Sequence, residues 1–197
     1  MPRSARTITA ADILPPAQYA AERAARRKAI IALKRVRRVS VGPIATFYFE
    51  NYDTMFQQVL EMLHIEKGGA AQIEDELGAY NPLIPQGRDL CATFMLEIPD
   101  EVVRARTLLQ LGGVDESVYL DVDGARVHAV PETDVERTKD DGKTSSVHFL
   151  HFAFTDEQAR AFTTPGARAV LAIEHASYGH MALLSEATRA SLADDLA

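Results

Sequence analysis

Four of the six histidines fall in two apolar runs, KTSSVHFLHFAF (Lys143–Phe154) and EHASYGHMALL (Glu174–Leu184). An imidazole in an apolar strand loses hydration unless a partner satisfies it. The chemistry on offer is metal ligation or hydrogen bonding. If Ser177–Tyr178 form a two-residue hairpin tip, His175 pairs with His180 and their Cβ atoms lie roughly 5 Å apart on one face. A one-residue slip of register separates them. His148 and His151 differ by three, so a regular strand sends them to opposite faces, and only a bulge brings both to one side. Three histidines with a carboxylate, Glu174 or Glu97, form a donor set for iron, zinc or manganese. The competing reading is that each histidine is hydrogen-bonded to backbone or to a carboxylate.

Other constellations are weaker. Glu61 and His64 match the Glu-x-x-His half-motif of di-iron bundles, but the second such motif is missing. Asp141–Gly142–Lys143–Thr144 has Arg137 where a phosphate-binding loop needs glycine, and a strand follows where that loop needs a helix, so no nucleotide is expected. Lys143, Thr144, Ser145 and Ser146 remain able to contact an anion beside His148. Cys91, in an apolar strand, reads as a core thiol. No serine or cysteine stands in an activating elbow, so the residues assign no reaction.

The elements that must position these residues follow from local signals. Thr9–Asp12 forms a capping-box pattern with Asp in place of Glu. Strong helix formers run from Ala17 to about Val36. Asn51 is among the cap candidates for a helix to about Glu66, stopped by Gly68–Gly69, and a second helix covers roughly 70–79. Leu90–Ile98 reads as a strand and 100–111 as a helix. Asp123–Gly124 marks a type I′ hairpin that sets Asp121 across from Arg126 and Tyr119 across from His128. The loop 131–144 is long enough to act as a lid. Strands at 146–154, 169–175 and 178–184 and a terminal helix complete an α+β fold. It is expected to be a mainly antiparallel sheet of about six strands with helices packed on it and a long N-terminal helix.

Charge divides the chain. Residues 1–38 carry ten Lys/Arg against Asp12 and Glu22, so a net −7 leaves −15 on the remainder. The reading is a basic N-terminal helical segment, 1–38, on one α+β domain, 39–197. Arg26, Arg27, Arg35 and Arg37 are candidates for docking an acidic protein partner. The alternative is that the segment lies on its own acidic body or faces solvent. Nucleic acid is the least favoured partner, because no aromatic residues interleave with the arginines. A single cysteine, no apolar leader and no membrane-length run point to a cytoplasmic protein. A homo-oligomer is compatible with all of this.

The runs VGPIATFYFENYDTMFQQVLEMLHIEKGG, AYNPLIP, LGGVDESVYLDVDG, VERTKDDGKTSSVHFLHF and YGHMALL resemble a bacterial family known only as domain of unknown function 3501. The resemblance covers nearly the whole chain. It implies a setting beside rubrerythrin-like proteins and iron–sulfur oxidoreductases, and it supplies no established activity or catalytic residues to carry over. Together these readings lead to an expected iron- or zinc-binding protein of a redox system, with His148, His151, His175, His180 and Glu174 as ligands. The alternative is a non-enzymatic subunit that docks a rubrerythrin-like or iron–sulfur partner through its basic helix.

Overall fold

The computed structural model describes residues 6–132 and 143–196. Eight strands form one antiparallel sheet among the described residues. They are β1 (Arg38–Val41), β2 (Ala45–Glu50), β3 (Asp89–Leu96), β4 (Val118–Val122), β5 (Ala125–Pro131), β6 (Val147–Ala153), β7 (Ala169–His175) and β8 (Tyr178–Leu183). Their order is β1-β2-β3-β6-β5-β4-β7-β8. Eight strands stand where about six were expected. The sheet curls almost into a barrel. Its seam is bridged by Tyr178, whose hydroxyl donates to the Val41 carbonyl (2.7 Å) and accepts from the Ile44 and Ala45 amides (3.2 Å each).

Strand alternation builds two cores from one sheet. Phe47, Phe49, Phe94, Leu150, Phe152 and Leu171 fill the barrel interior, with Phe47 and Phe94 stacked 4.6 Å apart. Two short helices, α5 (Asp156–Thr163) and α6 (Glu186–Ala193), contribute Phe162 and Leu192 to that interior. A third helix, α4 (Glu101–Gln110), adds Leu108.

The outer face of β3 carries Cys91 into a second cluster with Tyr19, Met55, Phe56, Val59 and Leu83. That cluster belongs to α1 (Pro16–Val36), α2 (Tyr52–Glu66) and the turn after α3 (Gly69–Tyr80). Helix α2 starts where Asn51 accepts from the Thr54 amide and the Thr54 hydroxyl accepts from the Asn51 amide, the reciprocal cap expected at such a start.

The Asp123–Gly124 hairpin has the expected register, with Asp121 opposite Arg126 and Tyr119 opposite His128. Both turn residues have positive φ, 48° and 92°, as a type I′ turn requires. Thr9 and Asp12 form the expected capping box. Most of the segment read as a lid, residues 133–142, lies outside the described residues. No described helix is long and apolar enough to cross a membrane.

Candidate functional site

The two histidines of β6 are divided by strand alternation. His148 pairs with Phe94 and points into the barrel, and His151 pairs with Cys91 and points out toward the helices. His148 is fully buried and stacks on Phe94 at 5.6 Å. Its Nδ1 lies 3.1 Å from Asp115 Oδ2, and its Nε2 lies 3.0 Å from the Ser145 carbonyl and 3.1 Å from Thr144 Oγ1. Thr144 and Ser145 therefore satisfy His148 directly. Burial pushes the Asp115 carboxyl up, but the hydrogen bond and charge of His148, together with backbone hydrogen bonds, hold the group below its usual value.

The His175/His180 pairing is corrected: the turn lies one residue earlier, so the partner of His175 shifts by two. The tip is 176–177, His175 pairs with Tyr178, and His180 pairs with Ile173. The reason is Tyr178. Its ring enters the barrel seam to bond Val41, Ile44 and Ala45, which holds it in strand β8 and moves the turn back. His175 Nε2 lies 3.2 Å from the Gly112 carbonyl, and its Nδ1 accepts from the Ser177 amide. His180 packs on the Tyr178 ring at 4.5 Å and against Gly42, where an added Cβ would lie 2.6 Å from the imidazole. Gly42 also has φ +72°, so it serves both the turn and this close approach.

The candidate carboxylates are committed elsewhere. Glu174 is exposed and bonds Arg126 at 2.8 Å, whose guanidinium lies 4.1 Å over the Tyr119 ring. Glu97 accepts from Thr46 (2.7 Å), Tyr48 (3.1 Å) and Arg38 (3.2 Å). Glu61 of the Glu-x-x-His pattern accepts from Tyr19 (2.5 Å) and Arg23 (2.8 Å). The Arg23 hydrogen bond leads in bringing its carboxyl down to about 2. Burial, then the hydrogen bond to Glu61, takes the Tyr19 hydroxyl up to about 12. Among the described residues no group of three or more His, Cys, Asp and Glu side chains is arranged to hold a metal ion.

The structure instead assembles a polar cluster on the outer face of β2, β3 and β6. His151 Nε2 lies 3.1 Å from Glu132 Oε1 and 4.0 Å from Cys91 Sγ, and its Nδ1 lies 3.9 Å from Asp89 Oδ2. Asp89, then Glu132, raises the imidazole above its ordinary value against the opposing effect of burial. Burial first, and then the charges of Glu50, Glu132 and Asp89, hold the Cys91 thiol well above its ordinary value. That disfavours the nucleophilic thiolate. Glu50 stands opposite Cys91 on β2 and accepts from Thr93 at 2.8 Å. Asp89 and Glu132 were not legible as partners of His151, because Glu132 stands 19 residues away and Asp89 lies on a strand that only the sheet pairing brings beside β6.

The basic helix also divides. Arg27 and Arg35 are exposed, together with Lys28 and with Ile31, which is 64% exposed. Arg26 bonds Glu22 at 2.7 Å and sits over the Phe56 ring at 6.0 Å. Arg37 departs from the expected docking face. It is 2% exposed and paired with Asp195, and it donates to the carbonyls of Phe49, Glu50 and Ser191. Helix α1 ends one residue before it, so Arg37 turns inward with the chain.

A family profile matches residues 7–196, nearly the whole chain. The chain belongs to the DUF3501 family, described as protein of unknown function. This DUF3501 chain is similar to a crystal structure of a novel protein of unknown function from Burkholderia pseudomallei, at 37% identity and a TM-score of 0.89. The match covers 97% of this chain and all of that one. No curated protein matches the DUF3501 chain.

Proposed function

We propose that this protein is a partner-binding subunit that docks an acidic protein on the solvent-facing row of α1. The observation that carries the reading is the exposed series Arg27, Ile31 and Arg35, spaced four apart and so on one helix face. Helix α1 buries only Tyr19, and Arg27, Ile31 and Arg35 all stay exposed. A central apolar side chain flanked by cations suits a partner with an apolar contact ringed by carboxylates. The family resemblance supports a rubrerythrin-like or iron–sulfur oxidoreductase as that partner.

The test titrates the protein against a rubrerythrin-like protein at low and physiological salt. Association should weaken with salt and be lost in an Arg27→Glu/Arg35→Glu variant that melts as the wild type does. Binding that is indifferent to both changes refutes the reading.

A further inference from the structure

A hollow of about 360 Å³ lies between the outer face of β2, β3 and β6 and the helices that cover it. Its size falls at the lower end of the range for small-molecule sites, roughly 300–1,000 Å³. Three aromatic rings line it, those of Tyr48, Tyr80 and Phe149, together with the thioethers of Met55 and Met95. Glu50 is the carboxylate among the lining residues, and it is 4% exposed.

One of its oxygens, Oε1, accepts from Thr93. The other, Oε2, is enclosed and has no hydrogen-bond partner among the described residues. A buried carboxylate oxygen left in this state costs desolvation that a donor would offset. Lys34 lines the same hollow, yet no ion pair joins it to Glu50 among the described residues.

We propose that this hollow binds a small organic ammonium ion, with its charge on the Glu50 carboxylate and its apolar part among Tyr48, Tyr80 and Phe149. Aromatic faces attract a cation through the ring quadrupole, and methionine adapts to irregular hydrocarbon. A divalent metal ion of the hard class asks for about six oxygen ligands. A lining built mainly of rings, thioethers and aliphatic groups suits an organic cation better. The site lies on the sheet, apart from the exposed row of α1, so it stands independently of the docking proposal.

The test uses phenethylammonium, with 2-phenylethanol and 3-phenylpropionate as neutral and anionic counterparts, followed by the methyl signals of Met55 and Met95. Phenethylammonium should shift both signals saturably, and 3-phenylpropionate should not. The alcohol should bind about tenfold or more weakly, the difference expected for a charged hydrogen bond in a buried site. Glu50→Gln keeps the shape and the contact with Thr93 and should erase the advantage of the ammonium over the alcohol. Lys34→Met, which removes a like charge, should raise ammonium affinity. The proposal falls if the wild type shows no saturable shift or if alcohol and ammonium bind equally. It falls too if a folded Glu50→Gln protein still prefers the ammonium.

Discussion

Arg37 allows the sharpest test of how this fold uses its basic residues. Its guanidinium donates to the carbonyls of Phe49 (2.9 Å), Glu50 (3.0 Å) and Ser191 (2.9 Å) and to the Asp195 carboxylate. It thereby ties the end of α1 and the end of β2 to α6 and the segment that follows it. Arg37→Met keeps much of the side-chain volume and removes every one of these donors. Burial holds the Asp195 carboxyl above its ordinary value even against the pull of Arg37, so desolvation is the larger effect there. Removing one partner of such a pair costs about 3–5 kcal/mol, against a total stability of roughly 5–15 kcal/mol. For a chain of this length that corresponds to a fall in melting temperature of about 6–20 °C. In Arg37→Met/Asp195→Leu both charges are gone, and much of the loss should be recovered. Thermal and urea unfolding, read by circular dichroism, measure all three proteins. A single variant within about 1 kcal/mol of wild type, below the range for a broken buried pair, refutes the argument, as does a double variant no more stable than the single one.

Two further outcomes follow from the same geometry. The His151 ring, raised first by Asp89 and then by Glu132, should titrate above about 6.5, the ordinary histidine value. Because its folded value is the higher one, it contributes stability below that pH and loses it as the pH rises through the folded midpoint. A proton-detected imidazole titration of wild type and Glu132→Gln checks this, and a wild-type midpoint at or below the ordinary value overturns it. Tyr178→Phe removes one donor and one acceptor that serve three backbone groups across the seam. It should cost about 1–3 kcal/mol, the penalty for leaving buried groups unpaired. Unchanged urea unfolding would show that the seam does not depend on that hydroxyl.

The elements were legible wherever the deciding interactions are local. Asn51 and Thr54 cap α2 through bonds three residues apart, and Asp123–Gly124 adopts positive φ because its turn demands it. The period of two that sends His148 and His151 to opposite faces is likewise a property of the strand alone, and the structure keeps it. The histidine partners were not legible. Asp115 reaches His148 across 33 residues, and Cys91 reaches His151 across 60. Nothing in either segment specifies that β3 will pair with β6.

The sequence by itself determined the helices, most strand segments, the 123–124 hairpin and the concentration of positive charge before residue 39. Capping, turn geometry and side-chain periodicity act within a few residues and need no knowledge of the rest of the chain. The tertiary structure alone decided which charges face solvent and which histidines meet. Tyr178 moved the β7–β8 turn by one residue because its ring fits the seam, and that step left His175 and His180 diagonal on one face and no longer directly opposed. Arg37 became internal because four distant acceptors converge on it. Burial and long-range pairing set those outcomes, and both depend on how the sheet closes.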